Sequence, residues 1–143
     1  GETLAADLLV TGIGSQPCDA LARAAGLDVA DGVLVDAVGR TSDPAIFAIG
    51  DVAHGPHGRT ESWQNAEESA AAAAAAIVGA PLPERSVPWF WTDQFEHNLQ
   101  IVGSPHAGTH LVERRRADGS LEAHLWLADG RLTGAVLFDN GRA

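Results

Sequence analysis

Hydrophobic and polar positions along the chain follow two different rhythms, and the change falls near residue 80. Before it, short apolar runs are cut by glycine and aspartate. Asp7 to Thr11, Val33 to Val35 and Ala45 to Ile49 each read as a short buried strand. Gly12-Ile13-Gly14 breaks the first run, and Asp19 is placed to cap a helix that continues through Ala25 and stops at Gly26. Asp31-Gly32 is a turn signal that introduces the second run. The longest helix is predicted between Ser62 and Gly79, with Ser62 or Asn65 as its N-cap and Glu67 and Glu68 in its first turn, facing solvent. Its alanine-rich stretch, Ala70 to Val78, favours helix and lets a neighbour pack closely. Ala80 to Arg85, with Pro81 and Pro83, reads as a stiff linker and divides a first unit, 1–80, from a second, 86–143.

Beyond the linker the period becomes two. Trp89 and Trp91 fall on one face of a strand and Phe90 on the other, and Asn98 to Val102 forms a further strand. His110 to Arg115, Leu121 to Leu127 and Arg131 to Leu137 alternate apolar and polar residues around Asp118-Gly119 and Asp129-Gly130, which predicts a three-stranded antiparallel meander.

Composition narrows the possibilities. A chain of 143 residues with 45% hydrophobic content holds one ordinary domain or two small ones with a core. The formal net charge of −10 argues against nucleic acid or an anionic membrane surface as partner. No apolar run is long enough to span a bilayer, and no basic region followed by an apolar core opens the chain. The opening Gly-Glu-Thr-Leu-Ala-Ala-Asp has the look of an internal cut. Cys18 is alone, so neither an internal disulfide nor a cysteine redox pair can form within the chain, which suits a reducing cytoplasm. His54 and His57 lie in a loop with no carboxylate or thiol beside them, and no metal site is expected there.

Three stretches carry candidate chemistry. The run Ala45 to Ile49 ends in Gly50-Asp51, so a strand would present a carboxylate at the edge where open α/β sheets bind ligands. Asp51 could accept hydrogen bonds from the hydroxyls of a ribityl or ribose chain, and Gly50 would let a ligand approach the backbone; a buried strand followed by a turn explains the same residues. The helix after Ser62 offers unpaired N–H groups and a partial positive charge, or simply covers a sheet. The Trp89–Trp91 cluster, by its residues alone, reads as core. Arg114-Arg115-Arg116, the only cationic cluster, is a solvated hairpin end or a steering patch for an acidic partner.

The longer patterns resemble a known family. Thr-Ser-x-Pro-x-Ile-Phe-Ala-x-Gly-Asp-Val-Ala, residues 41–53, resembles the second flavin-binding motif of the FAD-dependent pyridine nucleotide oxidoreductases. Ala6 to Pro17 is similar to the strand and glycine turn that link the NAD and FAD domains there, with Pro17-Cys18 standing where Pro-Asn is frequent. Val-Pro-Trp-Phe-Trp-Thr-Asp-Gln-Phe, from Val87, closely resembles the opening of the C-terminal domain in reductases that serve ferredoxins of monooxygenases and ring-hydroxylating dioxygenases, the putidaredoxin reductase type.

That resemblance implies a fold of class α/β followed by α+β: the C-terminal portion of a Rossmann-like FAD-binding domain, then a small antiparallel-sheet reductase C-terminal domain covered partly by helices near its end. It implies FAD as cofactor, NAD(P)H as donor and a [2Fe–2S] ferredoxin as partner. Gly50 and Asp51 would meet the ribityl chain, Trp63, Gln64 and Asn65 the isoalloxazine ring, mainly through backbone, and Trp91 would stand between ring and ferredoxin as the catalytic aromatic. No Gly-x-Gly-x-x-Gly occurs in the chain, so by itself it is expected to lack reductase activity and to bind FAD weakly. The rivals are a rubredoxin, nitrite or disulfide reductase relative and a non-catalytic ferredoxin-interaction module.

Overall fold

The computed structural model describes residues 3–139. Two sheets follow one another along the chain, with a long helix between them. The first contains β1 (Val29–Ala30), β2 (Gly32–Leu34), β3 (Ala53–Gly55) and β4 (Gly58–Arg59) in that order. β1 and β2 form the hairpin that Asp31-Gly32 predicts, β2 pairs with β3 in parallel through Val33 and Ala53, and β4 returns antiparallel to β3. Before this sheet comes α1 (Ala20–Ala24), which has Asp19 at its N-cap position. Asp19 takes the Arg23 guanidinium at 3.1 Å rather than a backbone N–H.

Two expected strands are absent, for different reasons. Asp7 to Thr11 is irregular, and Leu8, Leu9 and Val10 are about four-fifths exposed. A strand is stable only beside another that takes up its N–H and C=O groups, and none lies alongside it among the described residues. Ala45 to Ile49 does not enter the sheet because its polar lead-in captures it. The Asp43 carboxylate accepts the Ala45 N–H at 2.9 Å, the Thr41 hydroxyl donates to the Ile46 carbonyl, and Thr41 and Ala48 bond back to Ile46 and Gly39. The run therefore folds onto residues 39–41, with one bridge between Arg40 and Phe47. Parallel pairing falls to β3 instead. Gly50 and Asp51 form a 3₁₀ turn, Gly50–Val52, that leads into the parallel strand and does not end it.

α2 (Trp63–Val78) matches the sequence expectation and stops at Gly79. Ser62 is its N-cap, and the serine Oγ accepts the Asn65 N–H at 3.2 Å. This register leaves no acid in the first turn and corrects the placing of Glu67 and Glu68, which lie in the second. Small residues bring α2 close to the preceding chain. Ser69 accepts the Gly50 N–H at 3.0 Å, and Ala66 and Ala73 lie against Gly50 and Gly39.

No regular structure lies between Val78 and Trp89. The second sheet is larger than the expected meander. β7 (His110–Arg115), β8 (Leu121–Ala128) and β9 (Arg131–Phe138) do form it, but β5 (Trp89–Gln94) and β6 (His97–Gly103) join along β9 to make five antiparallel strands ordered β5-β6-β9-β8-β7. Ala123 and Ala135 are buried here, as Val33 and Ala73 are in the first unit. The expectation that the family's covering helix is missing after Asp139 concerns residues outside those described.

Candidate functional site

The predicted residues lie on the first turn of α2, on the Gly50–Val52 turn packed against that helix and on β5. Asp51 is exposed, and its carboxylate has no hydrogen-bond partner among the described residues. Its backbone is held from behind: the Arg59 Nη1 donates to the Asp51 carbonyl at 3.3 Å. The same guanidinium, only 12% exposed, donates through Nε to Asp31 at 3.2 Å and through Nη1 to the Glu61 carboxylate. Ser15 donates its hydroxyl to Glu61 as well. Hydrogen bonds from Ser15 and then Arg59 hold the Glu61 carboxyl below the usual carboxylate range, and the bond to Glu61 raises Arg59 in turn. Arg59 and Glu61 thus fasten the β1–β2 turn, the Asp51 turn and the lead-in to α2 to one another. Neither was singled out from the sequence. The signal was present as Arg-x-Glu immediately before a capping serine.

At the helix start, Ser62 satisfies the Asn65 and Ala66 N–H groups, while those of Trp63 and Gln64 have no protein partner among the described residues. Open N–H groups at a helix N-terminus favour an electron-rich acceptor. Asn65 is otherwise committed, donating to the Thr60 carbonyl at 3.0 Å and accepting from Arg85 at 3.1 Å. Gln64 commits its side chain to the segment that leads into β5. Gln64 thus keeps only its backbone N–H open, whereas in Asn65 both the side chain and the N–H are taken.

An aromatic wall stands beside them. Trp89 and Trp91 stack with ring centroids 4.7 Å apart and 22° between planes, as alternation along β5 requires. Trp63 meets Trp91 edge-on at 6.5 Å and 82°. All three remain exposed, Trp63 at 64%. Adjacent exposed tryptophans on a water-facing surface mark a contact site.

A cavity of about 590 Å³ opens beside α2, lined by Asp36, His57, Ser62, Gln64, Glu68 and Arg85 among others; Asp51, Trp63 and Trp91 do not line it. Glu68, expected in solvent, is half-buried at its rim, because Gln64, Ser86 and Arg85 all bond to it. The arginine cluster is also largely spoken for. Arg114 pairs with Glu122, Arg115 with Glu113, and Arg116 donates to the Leu121 and Phe138 carbonyls.

The first turn of α2, the turn packed on that helix and β5 thus offer an open carboxylate acceptor, two open N–H donors and exposed aromatic faces. That set fits a polyhydroxyl chain joined to a planar heteroaromatic ring with an electron-rich edge, the chemical makeup of FAD. Asp51, the backbone at Trp63 and Gln64, and Trp91 are the groups that would hold it.

Residues 1–70 match the family described as pyridine nucleotide-disulphide oxidoreductase, and residues 89–143 match the reductase C-terminal family. Among solved structures, putidaredoxin reductase in its covalent complex with putidaredoxin is 33% identical with a TM-score of 0.86, over 99% of this chain and 35% of that one. The ferredoxin reductase of the CYP199A2 system from Rhodopseudomonas palustris is 37% identical with a TM-score of 0.85, over 97% of this chain and 36% of that one. Fdr9 is 38% identical with a TM-score of 0.82, over 97% of this chain and 38% of that one. The chain therefore spans little more than a third of the length of the structures it matches. It belongs to the pyridine nucleotide-disulphide oxidoreductases and carries their reductase C-terminal domain in its second half.

Proposed function

We propose that the chain is the C-terminal part of an FAD-dependent NAD(P)H:ferredoxin reductase, with residues 1–80 contributing to the FAD-binding region and 86–143 forming the reductase C-terminal domain. The observation that carries this reading is the contact, at the start of α2, of Trp63 with the exposed face of Trp91, beside the open Trp63 and Gln64 N–H groups, while Asp51, its carboxylate open, sits in a turn packed on the same helix. The chemistry supplied by bound FAD is the conversion of hydride donation from NAD(P)H into single-electron delivery to a [2Fe–2S] protein. The protein's share is position and electrostatics. Asp51 accepts hydrogen bonds from ribityl hydroxyls, the N-terminus of α2 stabilises negative charge on the ring edge, and Trp91 shields the ring on the side from which a ferredoxin approaches. The covalent complex of putidaredoxin reductase with putidaredoxin supports that choice of partner. A cytoplasmic setting belongs to the same reading. No helix among the described residues is long and apolar enough to cross a membrane.

The test uses the full protein encoded by the reading frame that contains this chain. Asp51→Ala is expected to weaken FAD retention about 10- to 100-fold, the loss of a hydrogen bond to a charged group worth roughly 1.5–3 kcal/mol. Trp91→Ala is expected to keep FAD and slow ferredoxin reduction. Asp51→Ala protein that retains FAD as tightly as the unmodified protein would sink the reading.

A further inference from the structure

Every polar atom of the Gln64 side chain is used, and all of it is spent on joining α2 to the aromatic strand. Nε2 donates to Glu68 Oε1 at 2.9 Å and to the Val87 carbonyl at 3.1 Å, and Oε1 accepts the Trp89 N–H at 2.7 Å. Only one orientation of the amide satisfies this set, since two of its neighbours are acceptors and one is a donor. The reason Trp89 needs a partner lies in the sheet. β5 is an edge strand, and Gly103 donates to the Pro88 carbonyl at 2.7 Å across the Trp89–Val102 pair. That phase turns the Trp89 N–H outward, away from β6, where only water or a side chain can take it.

The surroundings hold the amide in place. Glu68 Oε1 also accepts the Ser86 N–H at 3.2 Å, its carboxylate pairs with Arg85 at 3.5 Å, and Arg85 reaches Asn65 at 3.1 Å. Residues 85–89 are thereby fastened to the first two turns of α2. Trp91, two residues further along, keeps its edge contact with Trp63 on the helix.

We propose that Gln64 is a positioning residue that sets Trp91 against the N-terminus of α2, acting through Trp89, with Glu68, Arg85 and Asn65 holding its amide in register. The mechanical part of this needs no flavin. Its catalytic consequence rests on the proposed function above, and the experiment separates the two.

Gln64→Leu removes all three hydrogen bonds at similar volume. In the 143-residue chain it is expected to weaken the near-ultraviolet circular dichroism of the tryptophans and shift their emission to the red, with far-ultraviolet dichroism unchanged. Near-ultraviolet and emission spectra identical to those of the unmodified chain would overturn the proposal. A variant that does not fold leaves a measurement on the unmodified chain to decide: the Trp89 N–H should exchange about tenfold more slowly than the outward Trp91 N–H, as a net hydrogen bond of roughly 1.4 kcal/mol gives. Equal exchange rates overturn it. In FAD-loaded full protein, Gln64→Leu should raise fluorescence per bound flavin as the aromatic quencher moves away. Altered tryptophan spectra with unaltered flavin fluorescence would keep the clamp and remove the flavin role of Trp91.

Discussion

Gly32 is the point at which the β1–β2 hairpin is pressed against the turn that carries Asp51, and Gly32→Ala tests how tight that contact is. Two costs are expected. The residue has φ of +99°, which strains any L side chain by roughly 1–2 kcal/mol. A Cβ there would also stand 2.4 Å from the Val52 carbonyl oxygen, a backbone atom that cannot rotate away, and relief of such overpacking costs about 1–3 kcal/mol. Reduced freedom of the unfolded chain returns roughly 0.4–1 kcal/mol. The net loss is about 3 kcal/mol, a large part of a marginal stability. Gly58 supplies the control, because its φ is +95° yet nothing lies within 4 Å of a Cβ built on it. Gly58→Ala should lose only about 1 kcal/mol, the strain less the entropy gain. The gap of about 2 kcal/mol corresponds to roughly 6 °C in Tm for a chain of this size, readable by circular dichroism melting or calorimetry. Equal Tm for the two variants would refute the reasoning, since it would mean that the hairpin does not rest on Val52 and that Asp51 is not braced from that side.

Other outcomes follow from single contacts. Ser62→Ala removes the N-cap bond to Asn65 and should cost about 1 kcal/mol of stability in thermal unfolding, with Ser62→Asp restoring most of it. Burial pushes the Glu68 carboxyl up, but bonds from Gln64, Ser86 and Arg85 outweigh it and hold the group below its ordinary range. Its charge therefore stabilises the fold above the unfolded glutamate value of about 4.3, and that contribution is lost as pH falls through the lower folded value. Urea titrations across that window should show the stability advantage over Glu68→Gln fading with acid; an advantage independent of pH would contradict the assignment. Arg116→Met cuts two bonds to backbone carbonyls and should cost roughly 1–3 kcal/mol, whereas Arg114→Met at an exposed ion pair should change stability by less than about 1 kcal/mol. Denaturant midpoints of the two variants distinguish a structural arginine from a surface one.

Much of this protein is legible from local rules. Ser62, the alanines and Gly79 specify α2 because capping, propensity and a helix stop act within a few residues. Alternation and the Asp-Gly turns specify β7, β8 and β9 for the same reason, and stacking of Trp89 on Trp91 follows from the period of a strand. The motif residues 41–53 and 87–94 point to the family without reference to any contact. Local pattern fails where a segment depends on a distant neighbour. Asp7 to Thr11 has the composition of a strand but no partner among the described residues to complete it, and Ala45 to Ile49 is diverted by the Asp43 and Thr41 side chains. The same limit hid the braces of the candidate site. Arg59 joins Asp31, Asp51 and Glu61 across as many as 28 residues, and Gln64 reaches Trp89 across 25. Sequence by itself therefore determined α2, the meander strands and the family. Only the tertiary structure decided which side chains hold the elements in place, because a hydrogen bond between distant residues leaves no periodic trace in the chain.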